Sequence, residues 1–335
     1  MDPYELKLTY ALSKMFNQEI INAGYQTVPL HGGTLGDIQL VTGTCKNAND
    51  KEMSYKIVTK RQKKWARHGD HLSWRREYDL YNSAFETLFS DSFRMPKCYH
   101  LEMNEDENEW QMWLEYIDGI SGLDLTAHMY ELAAKELGRF QGKLYATKPD
   151  IVQNLHNLSN LEYAKNFYLH YRSWPEVYDY IRSDTCELPE HLCEMLIDID
   201  LGENEIWDSI GKLPVVLCHR DFWVTNIFHT NQGIILIDWD TTGWGHFGED
   251  LASLIADEAD VPKMALLYQK CVPAYYEGFS EFVDVSHITH HCIRELILVM
   301  FGYRLVEWYK FAKSPDEKKL HLDTLQKIYE MKSTH

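Results

Sequence analysis

The sequence predicts an α+β chain in two parts, strand-rich at the front and mostly helical behind. Between Val28 and Gly119 the apolar residues fall in short runs divided by Gly-rich or acidic turns, the pattern of strands. From Ala127 onward, and above all after Asp250, they recur at helical spacing. The 335 residues suffice for one two-lobed unit, with the boundary near Asp118: residues 1–117 form the first part and 118–335 the second.

The elements follow in order. Leu8, Leu12, Met15, Phe16 and Ile20 give a helix from Tyr4 to Ala23 that stops at Gly24. Val28 to Val41 reads as strand, Gly-rich turn, strand, and its glycines include Gly33 and Gly36. Glycines let a backbone approach phosphates and point N–H groups at them. Tyr55 to Lys60 is the next strand, and Leu72 to Leu88 a helix carrying Glu77. Asn104 to Glu109 is a turn, and Gln111 to Gly119 a strand. Ala127 to Tyr145 is a helix. Leu161 to Asp208 is helical with breaks at Pro175 and Pro189, and Ile293 to Phe311 is the clearest late helix.

The chemistry centres on Val216 to Phe228. Val215-Val216-Leu217-Cys218 is an apolar run that opens onto His219-Arg220-Asp221, with Asn226 five positions after the aspartate. Asn226 to His229 runs to a turn at Thr230 to Gly233, and Ile234 to Ile237 returns to Asp238. An Asp, an Asn five positions on, and an Asp closing an apolar strand form the kinase catalytic-loop signature. Phosphoryl transfer needs one carboxylate by the attacking hydroxyl, Asp221. It needs oxygen ligands for Mg²⁺, here Asn226 and Asp238, because that cation is hard. Ile57-Val58-Thr59-Lys60 is similar to the kinase strand whose lysine contacts the phosphates, with Lys56 on the same face as competitor. Glu77 then matches the helical partner of that lysine.

Composition narrows the field. The net charge of −18 argues against nucleic acid. Lys51 to Arg76 nevertheless holds nine Lys or Arg against two acids, while Asp184 to Asp208 holds nine acids and no Lys or Arg. A phosphate-binding part beside a surface for a cationic acceptor fits this asymmetry. The start has no signal-peptide pattern, no run reaches membrane-span length, and the seven cysteines are scattered, so the expected setting is cytoplasmic. No protein partner is evident. His287, His290, His291 and Cys292 do not match a closed zinc site.

The segment HRDFWVTNIF…IILIDWDTTGWGHFGEDLA resembles the core of the aminoglycoside phosphotransferase and choline kinase superfamily. Many members have Gly where Arg220 stands. The resemblance implies a protein-kinase-like fold, with a small antiparallel-sheet lobe and a mostly helical lobe. It implies that LEYIDG is the hinge, where backbone near Glu115, Tyr116 and Ile117 meets the base of ATP or GTP. The Gly33 and Gly36 turn would cover the nucleotide. Only twelve positions separate Asp238 from Asp250, and no Ala-Pro-Glu follows, so the expected substrate is a small molecule rather than a protein. The acceptor is an aminoglycoside-like or other amine-bearing alcohol, choline or ethanolamine, or a sugar. Trp223, Trp239, Trp244, Tyr275, Tyr276 and Trp308 are candidates for an aromatic cage around an ammonium. Asp250 is expected to cap a helix and brace the loop, and Asp240 to assist metal or substrate or serve a turn. A catalytically silent nucleotide-binding module is the alternative of another class.

Overall fold

The computed structural model describes residues 2–30, 36–65, 67, 70–162, 174–200, 205–257 and 261–331. The chain divides into two compact units. One comprises residues 1–119 with 230–240, the other residues 120–229 with 241–335.

The first unit is built on a five-stranded antiparallel sheet in the order β1-β2-β3-β6-β5, formed by Ile20–Pro29, Asp37–Asn47, Glu52–Lys63, Cys98–Asn104 (β5) and Glu109–Glu115 (β6). Helix α1 (Pro3–Phe16) lies against β1 and β5 and buries Leu8, Ala11 and Leu12 with Val41, Tyr55, Ile57 and Trp113. Its start is encoded locally: Asp2 caps it, Pro3 fits the first turn, and Glu5 closes a capping box. Its end is earlier than the sequence reading. Asn17 turns left-handed at φ 51°, and residues 20–29 are a strand rather than the helix's last turns. Gly24 ends no helix. It pairs with Thr44, and a Cβ on neighbouring Gly43 would stand 1.9 Å from the Gly24 oxygen.

On the opposite face of the sheet, helix α2 (Ser73–Tyr81) packs against β5 and β6. The indole of Trp110 donates to the Trp74 carbonyl at 2.6 Å. The helix expected to reach Leu88 stops at Tyr81, and a short 3₁₀ turn over Phe85–Leu88 follows. Strand β4 (Phe93–Arg94) pairs in parallel with β9 (Gly233–Leu236), which follows β7 (Val215–Cys218) and β8 (Ile227–Thr230) in the chain.

In the second unit, helix α3 (Ala127–Thr147) precedes a short α4 (Asp150–Gln153). After the acidic helices α5 (Trp174–Ile181), α6 (Glu190–Asp200) and α7 (Glu205–Gly211) comes β7, which pairs antiparallel with β10 (Gly243–His246). Helices α8 (Glu249–Ala256), α9 (Val261–Ser280), α10 (His291–Phe311) and α11 (Pro315–Glu330) complete it. On α10, Leu296 and Met300 are buried, whereas Trp308 is 41% exposed. Among the described residues, no helix is long and apolar enough to cross a membrane.

Helices α3 and α9 meet backbone to backbone. A Cβ at Gly138 would stand 2.2 Å from the Tyr275 carbonyl oxygen, and one at Gly278 2.1 Å from that of Lys135. Alanine stabilises a helix interior by about 1 kcal/mol over glycine, but here the obstacle is a backbone that cannot swing away. Gly138→Ala is therefore expected to cost a net of roughly 1–2 kcal/mol. A urea midpoint equal to or above wild type would refute the close packing.

Candidate active site

In the first unit the pleat of β3 separates two faces. Tyr55 and Ile57 join the α1 core, while Lys60 is carried to the face beneath α2. Lys60 is 8% exposed. Its Nζ lies 2.5 Å from Glu77 Oε2 and 2.6 Å from Asp238 Oδ1. Burial alone would push the ammonium's pKa down, but Asp238, then Glu77 and Asp240, outweigh it and hold it above the ordinary value. Glu77 is 2% exposed; burial pushes its carboxyl up to about 7 against the pull of Lys60, with Asp238 adding to the rise. Glu77 Oε1 also accepts from the Trp239 N–H at 3.4 Å. The competitor Lys56 is exposed, with its ammonium 5.0 Å from the centre of the Tyr116 ring.

Asp238 itself sits at φ 63°, a left-handed conformation that costs a non-glycine residue energy and is tolerated best by Asp and Asn. What holds it is the turn that follows. The 3₁₀ turn at Trp239–Thr241 buries Trp239 against Phe85 and Phe89. Asp240 is buried too: its Oδ2 meets Arg67 Nη2 at 3.1 Å, and its carbonyl accepts from Arg76 Nη1 at 2.7 Å. Arg76, 1% exposed, uses Nη2 on both oxygens of Asp70. Burial and Asp238 raise the Asp240 pKa, with Arg67 opposing. Asp70, Glu77, Asp238 and Asp240 thus set four carboxylates against Lys60, Arg67 and Arg76.

In the second unit β7 delivers the chain to His219, Arg220 and Asp221. Asp250 fixes the loop: its Oδ2 accepts from the His219 N–H and its Oδ1 from the Arg220 N–H, both at 2.8 Å. Gln141 of α3 donates Nε2 to the same Oδ2 and to the Leu217 carbonyl, each at 3.0 Å. Its oxygen accepts from the Tyr275 hydroxyl at 2.6 Å. Asp250 is not the helix cap; Gly248 holds that position, and Asp250 braces the loop from the first turn of α8. Thr241 Oγ1 donates to the His219 carbonyl at 2.7 Å. Arg220 is left-handed at φ 67°, a conformation that glycine adopts without strain. Asn226 Nδ2 donates to Asp221 Oδ2 at 2.8 Å and to its carbonyl at 3.0 Å.

With its nitrogen spent on Asp221, Asn226 has its amide oxygen left to offer, and Asp238 of the first unit is a carboxylate; each is an oxygen donor of the kind that suits Mg²⁺. No cluster of three or more His, Cys, Asp or Glu able to hold a metal occurs among the described residues. A cation held by few protein oxygens plus substrate phosphates needs none.

The remaining expected positions are placed as follows. Glu115 spends its carboxylate on Arg94, at 2.6 and 2.9 Å, and its N–H on the Lys97 carbonyl. Tyr116 and Ile117 follow it directly in the chain. Gly36 lies close to β3, where a Cβ would stand 3.1 Å from the Arg61 oxygen; Gly33 lies outside the described residues. Trp239, Tyr275 and Tyr276 are buried in their own cores and form no cage. Within the histidine cluster, His290 meets the ring of Tyr276 edge to face, and the Tyr276 hydroxyl lies 3.4 Å from Cys292 Sγ. Gln141, Arg67, Asp70 and Arg76 are parts of this machinery to which the sequence reading gave no role, and Tyr275, expected as a cage residue, instead holds the Gln141 oxygen.

A lysine held by a helical glutamate, a strand-end Asp, and a braced His-Arg-Asp loop with its Asn define a phosphoryl-transfer enzyme class. The sequence profile described as the phosphotransferase enzyme family matches residues 50–278, and the chain belongs to that family. No curated protein sequence matches the chain. Solved structures agree in fold. A choline kinase from Cryptosporidium parvum aligns with a TM-score of 0.56 at 16% identity, covering 91% of this chain and 89% of that one. An aminoglycoside 2'-phosphotransferase in complex with GDP aligns at 0.54 and 14%, covering 97% and 98%. A microcompartment-associated aminopropanol kinase aligns at 0.54 and 12%, covering 96% and 95%. The expected family, fold class and phosphotransferase activity are borne out.

Proposed function

We propose that this enzyme transfers the γ-phosphoryl group of ATP or GTP to a hydroxyl of an amine-bearing small molecule. The observation that carries the reading is the pairing of Lys60 with both Glu77 and Asp238 in a family of phosphotransferases. In the proposed reaction Lys60, steadied by Glu77, neutralises nucleotide phosphates. Asp221, oriented by Asn226, aligns the acceptor hydroxyl and takes its proton as transfer proceeds. Asn226 and Asp238 would hold Mg²⁺, which supplies charge neutralisation at the phosphates. Backbone near Glu115, Tyr116 and Ile117 would receive the base.

A cationic acceptor is favoured by the net charge of −18 and the acidic α5–α7 region. The structural relatives named for choline, aminoglycosides and aminopropanol all concern amine-bearing alcohols. Seven free thiols accord with a cytoplasmic setting. The test is nucleotide consumption with ATP and GTP across choline, ethanolamine, amino alcohols, aminoglycosides and neutral sugars. Turnover confined to neutral sugars would remove the cationic acceptor, and nucleotide binding without turnover on any of them would favour the silent module.

The lysine assignment has its own check. Glu77→Gln removes the charge that shares Lys60 with Asp238 and is expected to raise the nucleotide KM by about tenfold, near 1.4 kcal/mol. Lys56→Gln is expected to leave it unchanged. The reverse pattern would transfer the phosphate role to Lys56.

A further inference from the structure

A cavity of about 720 Å³ opens in the second unit, beside β7. Its size falls in the range of small-molecule sites. Buried Val216 and Leu217 line it from the strand, with Tyr145 and Trp244 as aromatic neighbours. Lys148 and Lys212 line it as well, and neither ammonium has an ion-pair or hydrogen-bond partner among the described residues. On a molecule of net charge −18, two exposed lysines beside a cavity with an apolar strand wall, and with Gln153 and His287 also in its lining, form a local positive site.

We propose that this cavity binds a small amphipathic anion. The acidic head meets Lys148 and Lys212, and a planar apolar body lies on Trp244 and Val216. An apolar body suits the strand wall, Val215 to Leu217, better than a second phosphate would, because that wall offers no side-chain donors. The site is separate from the chemistry proposed above. None of residues 219–226 lines it, and neither does Lys60, Glu77 or Asp238. It does not rest on the phosphotransfer reading.

The test uses the full-length chain and anilinonaphthalene sulfonate, a probe with one sulfonate and an aromatic body, followed by fluorescence titration. The expected result is saturable binding at one site per chain that persists in excess ATP and Mg²⁺. Lys148→Asn with Lys212→Gln should weaken it about tenfold or more, by removing both charge-assisted contacts. Asparagine suits position 148, where φ is 43°. Val215→Trp, at an exposed lining position, should weaken binding by filling the cavity, and it decides the matter if the double variant does not fold. Lys319→Gln, remote from the lining, should leave binding unchanged. Displacement by ATP, or wild-type affinity in a folded double variant or in Val215→Trp, overturns the proposal.

Discussion

Asp221→Asn is expected to lower kcat by roughly 10²–10⁴, the range for a positioned acid or base, while the protein melts close to wild type. The two halves of this expectation come from different bonds. The loop's shape rests on groups the substitution leaves in place: Asp250 on the His219 and Arg220 amides, and Thr241 on the His219 carbonyl. The Asp221 carbonyl still accepts from the Trp223 N–H at 3.1 Å and from Asn226 Nδ2. What is lost is a carboxylate oxygen able to take a proton. The Asn226 contact at 2.8 Å survives, since the new amide also has an acceptor oxygen. Measured against the best acceptor from the nucleotide-consumption screen, near-normal kcat would remove Asp221 from the role of base. A large fall in melting temperature would show that its side chain holds the loop as well.

The α+β class and the order of the chemical groups were legible in the sequence because both are local. Period-two and helical apolar patterns mark β3 and α3, and the interval from Asp221 to Asn226 is set within one loop. The supporting groups were not legible, because their partners are distant. Gln141 and Asp250 are 109 residues apart, and Arg76 and Asp240 are 164 apart. In the sequence Gln141 is one polar residue on an amphipathic helix, and Arg76 one of two adjacent arginines. Only tertiary folding shows that both are buried and paired. The early end of α1 was missed for a subtler reason. Gly24 is the stronger helix-stop signal, but Asn17 also tolerates the left-handed conformation and lies first in the chain.

Arg220 shows the same limit at a single residue. As a sequence letter it departs from the glycine found in many relatives of the resembling superfamily, and it looked inconsequential. In the structure it occupies φ 67°, where glycine fits without strain, and its guanidinium donates to the Trp244 and Asn160 carbonyls. The backbone requirement is met here by arginine, with side-chain bonds to offset its strain. The amide of this strained residue is one of the two that Asp250 accepts.

Asp250 accordingly carries the largest expected effect on stability. Asp250→Ala removes the acceptor of three buried donors: the His219 and Arg220 amides and Gln141 Nε2. Unsatisfied buried donors cost about 1–3 kcal/mol each, and relief from burying a carboxyl offsets part of the sum, so a loss of about 3–5 kcal/mol is expected. Asp250→Asn keeps the shape and separates charge from geometry. Burial pushes the Asp250 carboxyl up to about 7, against the two amides, with Glu249 adding to the rise. A group whose pKa is raised on folding contributes stability at low pH and loses it as the pH climbs through the folded value. Asp250 should therefore support the fold best near its ordinary carboxylate range and progressively less up to about pH 7. Glu77 titrates in the same window, so the wild-type curve alone cannot isolate Asp250. The difference between wild type and Asp250→Asn can, because Glu77 is common to both. Measured by urea unfolding, the wild-type advantage over Asp250→Asn should shrink as the pH is raised from 5 to 8. An advantage that stays constant, or grows with pH, would mean that Asp250 is a carboxylate throughout and that its three N–H donors outweigh its burial.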